Sequence, residues 1–302
     1  MDTNSKLSNN TAVILVSHGS TLPYAEEVFV EIKEKFIKKT GLATEIGYMK
    51  VSEPTIAGAV EILKGQVEDL DRIIALPVFL APGIHTNIDI PQLLGLEPLE
   101  VDPRCPDGNY PAEHYLSIAD DVDFDGEIEL LSSIGPRDEL LDIIDKRIDE
   151  ALSQSELEDA KTGILLVTHG SRLNYNKEFA TALYNKFEKN CEYPSNFGFM
   201  ELCGPSIPES INKLVDEANL ERLVVVPIFI SPGMHTTHDI PHILGFLEDH
   251  EHSHSHSHGH GDHDHVHDLT PVEFDGEILY PEPIKADDIL IDILVSMVEE
   301  KL

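Results

Sequence analysis

The sequence predicts an α/β protein made of two tandem doubly wound domains, each with a four-stranded parallel sheet flanked by helices. Two observations lead to this prediction. First, the chain repeats itself after about 150 residues: residues 12–20 read A-V-I-L-V-S-H-G-S, and residues 163–171 read G-I-L-L-V-T-H-G-S. Second, short apolar runs alternate with longer amphipathic segments in each repeat, which is the pattern of βαβ units. Such a long period indicates a duplicated domain, because solenoid units are about 20–50 residues long.

The repeat continues through the later part of each half. Residues 72–86 read R-I-I-A-L-P-V-F-L-A-P-G-I-H-T, and residues 222–236 read R-L-V-V-V-P-I-F-I-S-P-G-M-H-T. We therefore place the first domain at residues 11–152 and the second at residues 162–302. The two domains would divide within the polar stretch 153–161.

The first repeat justifies each element in order. Residues 13–16 form a continuous apolar run, as expected of a strand that is buried on both faces. Residues 26–38 then repeat apolar side chains at helical spacing, and residues 44–49 predict a weaker strand. We expect Pro54 in the first turn of the next helix, because that turn accepts proline. The remaining predictions are strands at 73–80 and 126–131 and a helix at 139–148.

Charge and composition exclude several classes of protein. The chain has 302 residues, of which 56 are acidic and 21 basic, and its formal net charge is −35. This charge repels phosphate backbones and anionic lipids, so we expect neither a nucleic-acid nor a membrane partner. The polar N-terminal residues do not resemble a secretory signal. Three cysteines without C-x-x-C spacing fit a reducing compartment, and we expect a cytoplasmic protein.

Four histidines are placed where a doubly wound sheet binds ligands. His18 and His169 directly follow the first strand of each repeat, and His85 and His235 follow the third strand across a Pro-Gly turn. Ligands of open α/β sheets bind at the carboxyl ends of the strands, at the point where the strand order reverses. With the order 2-1-3-4, that point lies between the first and third strands, so the two histidines of each repeat would face each other. One such histidine is usually structural, but the recurrence of both favours function.

Paired imidazoles without cysteine indicate an open metal site. Neutral imidazole suits divalent cobalt, nickel, copper, zinc and iron, whereas a closed structural zinc site needs four ligands. An open site can pass its metal on, and a neutral imidazole can accept a proton. Metal insertion into a tetrapyrrole requires both steps, because two pyrrole protons must leave as the ion enters. It requires no nucleotide, so we expect no cofactor beyond the metal ion that is the substrate.

The motifs around these histidines occur twice in the chain, in the same order. The first repeat reads L-V-S-H-G-S-T-L-P-Y, M-K-V-S-E-P-T-I and L-P-V-F-L-A-P-G-I-H-T-N-I-D-I-P-Q-L-L-G. The second reads L-V-T-H-G-S-R-L-N-Y, M-E-L-C-G-P-S-I and V-P-I-F-I-S-P-G-M-H-T-T-H-D-I-P-H-I-L-G. Over nearly its whole length the chain resembles the class II chelatases, in particular the archaeal small sirohydrochlorin cobalt and nickel chelatases. The predicted fold is then two chelatase-like domains.

The resemblance implies a lyase that inserts Co²⁺, Ni²⁺ or both into sirohydrochlorin, for cobalamin or for the nickel tetrapyrrole of methanogens. It implies that His18 and His169 are catalytic proton acceptors and metal ligands, with His85 and His235 as the second metal ligands. It also implies that the tetrapyrrole contacts a glutamate and the loop before each second histidine. These substrate-binding residues are Glu53, Leu80, Ala81, Pro82, Gly83, Ile84, His85, Ile230, Ser231, Pro232, Gly233, Met234 and His235.

The two repeats depart from the family pattern at different positions. Gly204 replaces the glutamate in the second repeat, and Thr21 replaces the arginine that the second repeat keeps as Arg172. The small family members resemble homodimers with a cleft between subunits, so we expect an internal pseudo-dimer here, with further oligomerisation open. Lys50, Arg172 and backbone N–H groups of the two Pro-Gly turns would then receive substrate carboxylates.

A histidine-rich tract leaves an alternative function open. Residues 250–267 carry nine histidines among Ser, Gly and Asp, and the family has a similar insertion at this place. Such a segment cannot pack a core, so we expect a loop that gathers transition metals. The alternative is a metal storage protein or metallochaperone without chelatase activity, although this does not explain the matched histidine pairs. A phosphatase with a phosphorylated histidine is disfavoured, because Ser17 and Thr168 replace its phosphate-binding arginine.

Overall fold

A computed structural model describes residues 10–247 and 271–302. In the first half, the elements are β1 (Thr11–Ser17), α1 (Pro23–Thr40), β2 (Ala43–Tyr48), α2 (Ile56–Gln66), β3 (Arg72–Pro77), a π-helical turn (His85–Asp89) leading into α3 (Ile90–Leu93), α4 (Tyr115–Ile118), β4 (Glu127–Leu130) and α5 (Glu139–Leu152). In the second half, they are β5 (Thr162–Thr168), α6 (Asn174–Phe187), β6 (Ser195–Phe199), α7 (Ile207–Ala218), β7 (Arg222–Pro227), a π-helical turn (His235–Asp239) leading into α8 (Ile240–Ile243), β8 (Glu277–Leu279) and α9 (Asp288–Glu299).

Each half contains a parallel four-stranded sheet with the same strand order. The orders are β2-β1-β3-β4 and β6-β5-β7-β8, and all neighbouring strands run parallel. The predicted fold and the order 2-1-3-4 are therefore confirmed. In both sheets the order reverses between the first and third strands, so a crevice opens there at the carboxyl ends of the strands.

The two halves share one hydrophobic core. Along β1, Val13 and Leu15 face this shared core, while the alternating Ile14 faces a separate core on the other side of the sheet. In the second half, Leu166 of β5 and Leu294 of α9 belong to the same shared core. Because the shared core contains side chains from both sheets, the two halves pack against each other and are not independent domains joined only by a linker.

Equivalent hydrogen bonds from lysine side chains join the two halves on the two sides of the shared core. Lys35 of α1 donates to the Ala286 carbonyl oxygen at 2.6 Å, and Lys186 of α6 donates to the Pro136 carbonyl oxygen at 2.8 Å. The two lysines lie at corresponding positions of the repeat, as do the two acceptors. The halves thus contact each other through an approximately two-fold arrangement within one chain.

Arg147 of α5 ties the halves together at a buried position. Its guanidinium donates to the carbonyl oxygens of Pro283 and Ile284 at 3.2 and 2.9 Å, and its Nη2 lies 3.4 Å from Asp287 Oδ2. Lys146 donates to the same carboxylate oxygen at 2.6 Å. Asp287 in turn caps α9, because its other oxygen accepts the Ile289 N–H.

The structure corrects the prediction for Pro54. This residue precedes the helix, and Thr55 is the N-cap of α2, with its hydroxyl oxygen accepting the Gly58 N–H at 3.1 Å. The carbonyl of Pro54 accepts the N–H of Tyr48, so it is bound to the end of β2 instead. The predicted strand at 73–80 is also shorter, because β3 ends at Pro77 and the following residues form a cavity wall.

The histidine-rich tract at residues 250–267 lies outside the described residues. Within the described residues, no helix combines the length and apolar character that crossing a membrane requires.

Candidate metal and tetrapyrrole site

The four predicted histidines lie in the wall of one cavity. The cavity has a volume of about 800 Å³ and is lined by residues of both halves, including His18, His85, His169 and His235. All twelve loop residues predicted for substrate contact, 80–85 and 230–235, line the same cavity. Glu53 does not line it, and its carboxylate instead accepts the backbone N–H of Thr55 at 3.0 Å.

In each half the two histidines face each other across the strand crevice. The ring centroids of His18 and His85 are 5.1 Å apart, and those of His169 and His235 are 4.7 Å apart. Both pairs meet edge to face. This arrangement results from the strand order, which places the loops after the first and third strands side by side.

A carboxylate fixes the ring orientation of the second histidine in each pair. His85 Nδ1 lies 2.5 Å from Asp89 Oδ2, and His235 Nδ1 lies 2.8 Å from Asp239 Oδ2. An ionised carboxylate only accepts hydrogen bonds, so Nδ1 carries the proton and Nε2 keeps its lone pair. Carboxylates orient metal-binding histidines in this way in many proteins.

The first histidine of each pair is oriented by its own backbone. His18 Nδ1–H donates to the Gly19 carbonyl at 3.0 Å, and His169 Nδ1–H donates to the Gly170 carbonyl at 3.1 Å. Because a carbonyl only accepts, Nε2 is again the nitrogen with a lone pair. All four imidazoles are thus set to bind a metal or a proton through Nε2.

The second half adds a carboxylate to its histidine pair. Glu201 Oε1 lies 3.4 Å from His169 Nε2. One ligand atom from each of His169, Glu201 and His235 lies within 4.8 Å of the other two, and this is the single cluster of this kind in the described part of the chain. Two imidazoles and one carboxylate suit a divalent transition metal and leave coordination positions open.

The first half has a lysine where the second half has Glu201. Lys50 packs with its Nζ 5.2 Å from the ring centroid of Tyr115, and burial lowers the pKa of Lys50. Burial first, and the charge of Lys50 second, lower the pKa of His18 to about 4. The His18 ring is exposed on the side that faces the cavity, so water offsets part of the burial there. His18 is therefore neutral at neutral pH, and the neighbouring charge opposes a metal cation.

Asp89 is held in an ionic network that Asp239 lacks. Asp89 is fully buried, and Arg104 donates to its Oδ1 and to the carboxylate of Asp102. Burial opposes the ionisation of Asp89, but the hydrogen bonds from His85 and Arg104 prevail and lower its pKa. Asp239 is partly exposed and accepts from His235 and from His238, and these bonds lower its pKa against burial.

Two of the backbone donors expected to bind carboxylates are already occupied. The Gly83 N–H donates to Thr86 Oγ1 at 2.8 Å, and the Gly233 N–H donates to Thr236 Oγ1 at 2.9 Å. These bonds stabilise the two Pro-Gly turns and hold the cavity wall in place.

Sequence reasoning missed Glu201 and Arg104 as site residues. A signal for Glu201 was present, because the second repeat reads M-E where the first reads M-K. Nothing in the sequence indicated Arg104, since the equivalent stretch of the second repeat is the histidine-rich tract, which does not repeat its sequence. It reaches the cavity only because residues 98–115 fold back over the His85 turn.

Comparisons with known proteins match both halves. The sequence profile of the CbiX family matches residues 12–151 and again residues 163–301. A sirohydrochlorin cobaltochelatase of Methanothermobacter thermautotrophicus is 44% identical over 142 residues, which are 47% of this chain and 94% of that protein. A probable sirohydrochlorin cobaltochelatase of Halobacterium salinarum is 27% identical over 232 residues, which are 76% of this chain and 75% of that protein.

Solved structures share the fold. SirB from Bacillus subtilis with Fe³⁺ has a TM-score of 0.65 at 17% identity, covering 96% of this chain and 95% of SirB. The sirohydrochlorin chelatase SirB from Bacillus subtilis subspecies spizizenii, in complex with cobalt, has a TM-score of 0.62 at 18% identity, covering 96% and 94%. At these sequence identities, the similarity shows a shared fold and nothing more specific.

Proposed function

The chain belongs to the CbiX family, and we propose that it is a metal chelatase that inserts Co²⁺ into sirohydrochlorin with the loss of two pyrrole protons. The relatives named above, with 44% and 27% identity, are cobaltochelatases by name, which supports cobalt as the metal. Nickel and iron are alternative substrates for the same ligands, since the affinity series alone does not select cobalt.

The observation that carries this proposal is the open set of His169, Glu201 and His235, whose two histidines lie in the wall of a cavity between the halves. Three protein ligands suffice to capture Co²⁺ and leave positions for water or a pyrrole nitrogen. The carboxylate also offsets the charge of the incoming ion. A cavity of about 800 Å³ falls within the roughly 300–1,000 Å³ typical of ligand pockets.

We assign metal capture to the second half. The first-half pair, His18 and His85, has no carboxylate in the position of Glu201 and has the cationic Lys50 beside it. A unit charge within several ångströms opposes a divalent cation strongly in a partly buried site. His18 is instead a neutral imidazole that can accept a pyrrole proton, and the negative charge of bound substrate would raise its basicity.

The first half also supplies a cation for the substrate carboxylates. Lys50 lies next to His18, whereas Arg104, which lines the cavity, is already paired with Asp89 and Asp102. Lys50 provides local positive charge within a protein of net charge −35, which offsets part of the overall repulsion of the tetrapyrrole. In this arrangement the substrate spans the cavity, with some of its carboxylates toward the first half and its pyrrole nitrogens toward the metal in the second.

The proposal is tested by mixing metal-free protein with sirohydrochlorin without oxygen and adding Co²⁺, Ni²⁺ or Fe²⁺ separately. Insertion is followed by the absorption change against a control without protein. We expect Co²⁺ insertion to exceed the control and to be lost when His169 and His235 are both replaced by alanine. The matched His18→Ala/His85→Ala change should slow insertion but leave Co²⁺ binding at the second-half cluster intact.

A storage protein or metallochaperone would behave differently. It would bind Co²⁺ through the tract at residues 250–267, and the rate of insertion would equal that of the control. Replacing the four cavity histidines would then leave metal binding largely unchanged, and the chelatase proposal would fail.

A further inference from the structure

Two more histidines, here called the outer pair, follow His235 in the chain and do not line the cavity. His238 is in the π-helical turn that begins with His235, and His242 is one helical turn further, in α8. Their ring centroids are 6.3 Å apart, and the ring planes are inclined by only 13°. The rings therefore lie side by side on one face of the helix, as residues four apart do.

The spacing of the two rings fits a shared metal ion. With a metal–nitrogen distance near 2 Å, an imidazole centroid lies about 3 Å from a metal bound to it. Two centroids 6.3 Å apart are thus spaced for one shared ion, and the nearly parallel rings must turn until the plane of each contains it. His238 is exposed and can make this rotation.

Asp239 connects this pair to the metal cluster of the cavity. Its Oδ2 accepts from His235 Nδ1 at 2.8 Å, and its Oδ1 accepts from His238 Nδ1 at 3.1 Å. Both imidazoles therefore keep Nε2 for a metal, and one carboxylate orients both. The outer pair and the cavity cluster are neighbours that share an orienting group.

The first half has the equivalent Asp89–His85 contact but lacks the two additional histidines. Ile88 and Gln92 occupy the positions of His238 and His242, and Ile88 is fully buried. Asp239 Oδ1 accepts from His238, whereas the equivalent oxygen of the first half, Asp89 Oδ1, accepts from Arg104. The two histidines thus occur only in the half that carries the Glu201 cluster and that also contains the nine-histidine tract.

We propose that His238 and His242 form a second divalent-metal site, which receives the ion from the tract and passes it to His235 and the cavity cluster. The site takes Co²⁺ through two imidazole nitrogens, and water completes its coordination. Transfer is a ligand exchange in which the nitrogens of His235 and His169 and the Glu201 carboxylate replace those of the outer pair. This role rests on the proposed chelatase function, but binding of Co²⁺ at the pair does not.

Binding is tested first with Co²⁺ alone. In full-length protein with all nine tract histidines replaced by serine, Co²⁺ bound at equilibrium is measured by competition with a coloured chelator. We expect the His238→Gln/His242→Gln variant of this protein to bind one Co²⁺ ion fewer per chain than the protein that keeps both histidines. The control is His114→Gln, which removes a histidine that stacks between two tyrosines away from the cluster, and it should change nothing. An equal amount of Co²⁺ bound with and without the pair would overturn the site.

Transfer is tested with the tract intact. The protein is loaded with one Co²⁺ per chain, and sirohydrochlorin is then added. We expect His238→Gln/His242→Gln to slow this insertion several-fold and excess free Co²⁺ to restore it. If the loaded variant inserts at the unaltered rate, the pair does not pass metal on. If the unaltered protein inserts no metal under any condition, the proposed function fails instead, and the binding measurement still decides whether the site exists.

Discussion

Lys50 and Glu201 occupy the same position in the two halves, directly beyond the second strand of each sheet. The carbonyl oxygen of each residue lies against a glycine with a left-handed backbone, Gly19 at φ +87° and Gly170 at φ +95°. A Cβ on either glycine would lie 1.9 Å from that oxygen, so both positions require glycine. Nearly identical backbones thus present a cation beside one histidine pair and a carboxylate beside the other.

This relationship predicts that Lys50→Glu creates a metal site in the first half. The change removes the opposing charge and supplies the carboxylate that the second half already has. With the tract histidines replaced by serine, equilibrium binding should increase by one Co²⁺ per chain. Lys50→Met is the matched control, because it removes the charge without adding a ligand, and it should bind little additional Co²⁺. An unchanged amount of bound Co²⁺ after Lys50→Glu would contradict the assigned difference between the halves.

The same lysine should control the protonation of His18. Burial and the charge of Lys50 lower the pKa of His18 from 6.5 to about 4. Lys50→Met should raise this pKa, as measured by NMR titration of the imidazole. Lys33→Met, which removes a lysine paired with Glu45 at 2.7 Å, should leave it unchanged. A pKa that does not respond to Lys50→Met would rule out this coupling.

The shift of His18 also predicts the direction of a pH effect on stability. Between pH 6.5 and about pH 4, the unfolded chain binds a proton at His18 that the folded protein does not. The contribution of His18 to stability is therefore present above pH 6.5 and is lost as the pH falls toward 4. Thermal unfolding should show a smaller loss of stability over this range in His18→Gln than in the unaltered protein. An equal loss would mean that other groups account for the acid sensitivity.

The fold could be predicted because two independent patterns agreed. The repeat fixed the number of domains, and buried strands such as β1 appear as continuous apolar runs in the sequence. Strand-end positions then followed from the order 2-1-3-4, which brought His18 beside His85 without any knowledge of side-chain contacts. The position of Pro54 was not predictable in this way, because its carbonyl oxygen accepts a hydrogen bond from Tyr48 at the end of β2, and no periodic pattern in the sequence marks that contact.

Residues outside the repeat pattern were harder to foresee. Arg104 belongs to a segment whose sequence differs between the halves, and its contact with Asp89 exists only after folding. Glu201 was visible as a difference between the repeats, but a single charged residue after a strand is usually a solvated one. Only the folded structure places its carboxylate 3.4 Å from His169 Nε2 and so indicates that Glu201 can be a metal ligand.

Asp239 should matter for metal affinity although its proposed role is not that of a ligand. Replacing Asp239 by asparagine removes the charge that fixes the tautomer of His235, and loss of such a partner typically costs about 10- to 100-fold in metal affinity. A Co²⁺ titration of the chain with serine in the tract should show this loss. Asp89→Asn is the corresponding change in the first half, and it should leave cobalt affinity within about threefold, well below that range. Equal losses from the two changes would mean that both halves bind the ion.

Arg147 should be the most costly interface side chain to remove among those described above. Its guanidinium is buried and satisfies two carbonyl oxygens and the Asp287 carboxylate of the other half. Removing one partner of a buried pair costs roughly 3–5 kcal/mol, and we expect the lower end for Arg147→Met, because Lys146 still pairs with Asp287. Urea denaturation measures this loss. Lys186→Met removes an ion pair with the exposed Asp138 and should cost at most about 1 kcal/mol. Similar losses for both variants would show that the buried contacts do not hold the halves together.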